Sequence, residues 1–207
     1  MEDGGKLEAN TAGSGATAVV FLHEIGRVGM CGFAPYAAWL LRHYRIQVVL
    51  VNRCGYGASD CHSPADASDI RAETEPAVSW ARGNGAHTVT LVGASGGGMD
   101  ALDAAAVTPG VSAVVNLSGD TNDTGADDKA LARRVTVPAL LAVAPDDPRC
   151  SISVVQSVYA LIASPVKRLD IESKLPAVHG WDLLLDDNHQ PRPLAPVVAG
   201  WAMKPGI

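Results

Sequence analysis

Six short apolar runs, at residues 18–23, 47–52, 88–93, 112–119, 138–144 and 166–173, recur along the chain with helical patterns between most of them. A strand that is apolar along its whole length has to be covered on both faces. The cover is offered by segments 35–44, 69–82, 95–107 and 153–163. This order predicts a mostly parallel sheet of about six strands in a three-layer α/β fold, with right-handed crossovers. Pro76 falls inside the second helical segment and is expected to split or kink it. Residues 1–17, rich in Gly, Ala, Ser and Thr, read as a flexible lead-in, and residues 18–207 as a single domain. About 18 residues separate the strand ending at Gly119 from the one starting at Pro138, too few for a large inserted cap. The Asp186-Asp187 pair and the proline-rich tail after it predict a helix that stops and then an extended segment.

Charge and patterning exclude several classes. The 16 basic and 22 acidic residues are scattered, with no basic stripe for a nucleic acid to follow. No apolar run reaches the roughly 18 residues of a membrane-spanning helix. The first ten residues are polar and acidic, so the expected location is the cytoplasm. No His, Cys, Asp and Glu spacing matches a metal signature, and no metal or cofactor is expected. Cys54 and Cys61 are close enough to bridge across a loop, whereas a reducing cytosol would keep them as free thiols.

The sharpest local signal is Gly93-Ala94-Ser95-Gly96-Gly97, set directly between a strand and a helix. A serine on so tight a turn is held strained, with its hydroxyl above the sheet edge. Its neighbours two before and two after must be tiny, because strand and helix backbones nearly touch there. The helix N-terminus adds partial positive charge where an oxyanion would form. A serine is a poor nucleophile alone; it needs a base, and the base needs an orienting acid. Both follow in chain order. Strand 138–144 runs into Pro145-Asp146-Asp147-Pro148, and strand 166–173 leads through a short loop to His179-Gly180-Trp181.

In these motifs the chain resembles the α/β-hydrolase superfamily, over about residues 18–187. The resemblance aligns Asp147 with the acid, Asp146 and Asp120 being the alternatives, and His179 with the base. It implies an oxyanion hole built from the backbone amides of Gly96 and Ile25. In the stretch Phe21-Leu22-His23-Glu24-Ile25-Gly26, Glu24 stands where relatives carry glycine, so its carboxylate has to turn away or pair with Arg27. Asn52-Arg53-Cys54-Gly55-Tyr56-Gly57-Ala58-Ser59-Asp60 is similar to a Gly-rich structural loop of the same superfamily. The implied activity is hydrolysis of a small ester or thioester, a small-molecule substrate, through an acyl-enzyme in a site with little or no lid. A non-catalytic ligand-binding protein on the same fold, or a lyase or transferase using the same triad, stays open. Oligomeric state is not read from the sequence.

Other residues have competing readings. His23 precedes the serine, the wrong order for a catalytic base in this fold, and is expected to prop the oxyanion loop. His23, Glu24 and Met30 are also candidates for contact with substrate. Met30, Cys31, Phe33 and Tyr36 line an acyl pocket or else pack the loop on the first helix. His43, His62, His87 and His189 are expected to face solvent, as are Asp100 and Asp103 on the helix after Ser95.

Overall fold

The structure, a computed structural model, describes residues 5–26, 28–61, 69–119, 130–175 and 177–206. Alternation along each strand decides its layers. In β2 (Thr17–Leu22), Val19 and Phe21 join the core on one face, while Ala18, Val20 and Leu22 join the core on the other. The two-residue period of a strand sorts these side chains, and both sets are almost fully excluded from water. β3 (Gln47–Val51), β4 (Thr88–Ala94), β5 (Ala113–Leu117) and β6 (Ala139–Val143) are buried in the same way, apart from partly exposed Thr88. β7 (Lys167–Ile171) closes one edge and is partly exposed.

The first core gathers α1 (Ala34–His43), with residues such as Tyr36 and Leu40, and α5 (Leu194–Met203), with Leu194, Val198 and Trp201. The second core receives α2 (Ile70–Gly83), α3 (Gly96–Val107) and α4 (Ile152–Leu161). The seven strands run in the order β1-β3-β2-β4-β5-β6-β7 and all pair in parallel except β1. With the strands parallel, the loops after β2 through β7 all leave at one sheet edge, the edge where open α/β sheets place their sites.

Four expectations change. Part of the predicted lead-in is β1 (Ala9–Gly13), an antiparallel edge strand paired with β3 from Ala9 opposite Val51 to Gly13 opposite Gln47. All five of its residues are exposed, so it carries no apolar pattern; backbone pairing and the Glu8 carboxylate hold it. Glu8 accepts hydrogen bonds from Asn52 Nδ2 at 2.7 Å and from the Ala58 amide at 2.8 Å. The proline-rich tail is helical rather than extended, because Pro193, Pro196 and their neighbours sit in or before the first turn of α5, whose N–H groups have no acceptor to lose. α2 runs undivided through Pro76. Cys54 and Cys61, expected to be free thiols, form a disulfide across the loop after β3, with their Cα atoms 5.5 Å apart as a bridge requires.

Removing residues 1–13 strips β3 of its antiparallel partner. The expected loss is on the order of 3 kcal/mol for that ladder, with aggregation through the bared edge. Urea unfolding checks it: an unchanged midpoint would mean that β1 adds nothing to the sheet.

Candidate active site

Ser95 leaves β4 with φ 53° and ψ −126°, a strained backbone for a residue bearing a Cβ. What forces the turn is contact between backbones. A Cβ on Gly93 would meet the Gly97 carbonyl, and a Cβ on Gly97 would meet the carbonyls of Leu22 and His23 at the end of β2. Ser95 donates its own N–H to Leu117 O at 2.8 Å, and its carbonyl accepts from Gly98 at 2.8 Å. Gly96 opens α3, where the first N–H groups lack intrahelical acceptors and the helix dipole is positive. The Ile25 side chain lies directly over Gly96, so the loop after β2 and the start of α3 form one corner.

The other two predicted residues meet. Asp147, at the end of β6, accepts from His179 Nδ1 with Oδ1 at 2.8 Å and Oδ2 at 3.0 Å. Its Oδ1 also accepts the amides of Arg149 and Cys150, each at 2.9 Å. The Asp147 side chain is fully buried, and that of His179 is 10% exposed. Burial pushes the Asp147 carboxyl up, but His179, the neighbouring Ser118 hydroxyl and the Arg149 amide outweigh it and leave the group below its ordinary value. Asp146 is exposed. Asp120, Arg27 and His62 lie outside the described residues. The turn after His179 (Gly180–Leu183) packs against β4, β5 and β6, which sets His179 at the sheet edge that carries Ser95. His179 Nε2 is buried and has no hydrogen-bond partner among the described residues, so the Ser95 hydroxyl does not bond to it here.

Glu24 turns toward the histidine loop. Its Oε1 accepts the Trp181 N–H at 3.1 Å and fills the space where Gly180, at φ 55°, would carry a Cβ. Burial pushes the Glu24 carboxyl above its ordinary value and Asp182 adds to the rise, against the Trp181 hydrogen bond and the charges of His179 and Arg149. Glu24, Arg149, Val178, His179, Asp182 and Arg192 border a cleft of about 470 Å³.

Two of the candidates for substrate contact are corrected. His23 is completely buried; its Nδ1 donates to Glu24 O at 2.6 Å and its Nε2 accepts the Arg53 N–H at 3.1 Å. Burial lowers its pKa, consistent with a neutral ring that ties the β2 loop to the β3 loop and has no nitrogen left for a ligand. Met30 is only 5% exposed and packs in the first core with Phe33, while Cys31 and Tyr36 line a separate cavity. On α3, Asp103 is buried, and Asp100 meets Arg53 at 2.8 Å instead of solvent. Arg53 also lies 3.5 Å from the buried Glu73 carboxylate. Asn116 was not singled out in the sequence, although a lone amide within an apolar strand is a signal. It is fully buried, and its Oδ1 accepts the Gly119 N–H at 2.6 Å. Among the described residues no three His, Cys, Asp or Glu side chains gather to hold a metal, and no helix is long and apolar enough to cross a membrane.

The raised Glu24 pKa has a definite sign in stability. The folded state holds the proton more tightly than the unfolded chain, so the wild type loses stability as pH rises through the interval between the two values. Glu24→Gln keeps the oxygen that accepts from Trp181 and removes the titration. Its melting temperature relative to wild type is expected to climb between about pH 4 and pH 7. Calorimetry showing the difference falling over that range would contradict a raised carboxyl.

No family model matches the sequence, and no curated protein matches it either. Similarity is found among solved structures. An esterase from Pyrococcus furiosus superposes with a TM-score of 0.78 at 14% identity, over 100% of this chain and 88% of that one. A monoacylglycerol lipase from Paleococcus ferrophilus gives 0.74 at 12% identity, over 95% and 98%. A dienelactone hydrolase from Anabaena variabilis gives 0.70 at 22% identity, over 95% and 91%. With its sheet order, its serine turn after β4 and these neighbours, the chain has the α/β-hydrolase fold.

Proposed function

We propose that this chain is a serine hydrolase of small esters or thioesters, working through an acyl-enzyme. The observation that carries the reading is the Asp147–His179 pair, with a buried carboxylate and an imidazole whose second nitrogen has no other partner among the described residues. The three structural neighbours named above, an esterase, a monoacylglycerol lipase and a dienelactone hydrolase, support the same class.

In this mechanism the substrate carbonyl enters between Ser95 and the Gly96 amide. His179 Nε2 takes the hydroxyl proton as Oγ attacks, and Asp147 holds the tautomer with Nδ1 protonated and stabilises the imidazolium. The Gly96 and Ile25 amides receive the oxyanion. His179 then gives its proton to the leaving alcohol or thiol, and a water activated by the same nitrogen releases the acid. The Ser95–His179 hydrogen bond forms with substrate in place, as catalytic contacts often tighten only in the complex.

Labelling with a fluorophosphonate probe tests the reading. Wild type is expected to react, while Ser95→Ala and His179→Ala do not, and turnover of p-nitrophenyl acetate should fall by about 10³-fold or more in both. A folded wild type that is neither labelled nor active would point instead to a ligand-binding protein. Labelling without ester cleavage would point to a lyase or transferase. Because Asp147 steadies the imidazolium, Asp147→Asn is expected to cost about 10⁴-fold in kcat; a variant within ten-fold of wild type would remove Asp147 from the triad.

A further inference from the structure

Beside the cleft at His179 lies a second cavity, of about 360 Å³, between the start of α1 and the turn after His179. Its walls include Val28, Cys31, Pro35, Tyr36, Trp181 and Leu185. Asp182 and Asp187 border both spaces, so the cavity adjoins the cleft that holds the base. Trp181, two residues after His179, forms a fixed wall: its ring occupies the place where a Cβ on Gly32 would stand and packs edge-on to Phe33 at 5.6 Å between centroids. The polar end of Tyr36 is already spent, its hydroxyl donating to Ala195 O at 2.8 Å, which leaves the cavity an apolar ring face. The rim carries Asp182, Asp186, Asp187 and His189, with Asp186 Oδ1 engaged by the Asn188 and Gln190 amides.

We propose that this cavity is the chamber for the apolar, non-reacting end of a neutral ester, selecting a medium-length alkyl or aromatic group and rejecting one that ends in an anion. The proposal rests on the hydrolase reading of the adjoining triad. Size sets the length: at about 30 Å³ for a water-sized group, the cavity holds on the order of ten heavy atoms, the scale of an octanoyl chain. Chemistry sets the class, because the walls are largely apolar and the three rim carboxylates, set against the single imidazole of His189, repel an anionic tail. Cys31 gives a handle on the cavity, being the exposed free thiol while Cys150 is buried and Cys54 and Cys61 are paired.

The test compares kcat/KM for p-nitrophenyl acetate, p-nitrophenyl octanoate and the octanoate analogue ending in a carboxylate. A fully buried methylene is worth about four-fold, so octanoate is expected to exceed acetate by at least about 30-fold, and the carboxylate-ended ester to lose that gain. Capping Cys31 with a hexyl methanethiosulfonate should collapse the octanoate-to-acetate ratio toward one, and Cys31→Ser should make the ratio indifferent to the reagent. Circular dichroism of the capped protein checks that it stays folded. Acetate hydrolysis without a rise for octanoate, or a rise that survives capping, overturns the chamber alone. No ester hydrolysis and no labelling of Ser95 overturns the hydrolase reading and the chamber with it.

Discussion

At Gly97 the backbone of α3 rests against the carbonyls of Leu22 and His23, and no side-chain atom fits between them. That contact brings the start of α3 onto the end of β2. It thereby sets the strained φ of Ser95, the direction of the helix dipole and the nearness of Ile25 to Gly96. Everything at this sheet edge is arranged around a join that has no slack. A strained residue persists only where its surroundings over-determine it, and here they do: β5 holds the Ser95 amide, and α3 holds its carbonyl.

Around that join the molecule manages buried charge by pairing it. Asp147 is fully buried, yet its carboxylate receives two amides and an imidazole, so its charge is cheaper to keep than to neutralise. Arg53 stands between Glu73 and Asp100, joining the loop after β3 to α2 and α3. Glu24 is the counter-example, a half-buried carboxyl with one amide donor, which is why its proton is held more tightly than usual.

The loops at the edge are stitched to one another more than to solvent. His23 spans the β2 and β3 loops through its two ring nitrogens, and Glu24 carries the β2 loop on to the turn after His179. Asn52 extends the network, donating to Glu8 before β1 and accepting the Met30 amide. A displacement of the loop after β2 is therefore felt at the histidine loop. Glu24 thus braces the loop after β2 against the turn after His179.

The local order of the chain was legible without coordinates. Apolar runs, helical spacing and the Gly93–Gly97 pentad depend on neighbours a few residues apart, and they located β2 through β7, four of the five helices and Ser95. The pairing of Asp147 with His179 was legible as well, since chain order and turn chemistry narrow the choice. What sequence left open were features decided at long range. β1 is all exposed and has only its pairing with β3 to define it. The tail became a helix because an apolar sheet face was waiting for α5. His23 was buried rather than open to ligand, and Asp103 buried rather than solvated, through contacts with segments far away in the chain. Periodicity reports which side of an element is apolar; only the folded chain determines what stands against the polar side.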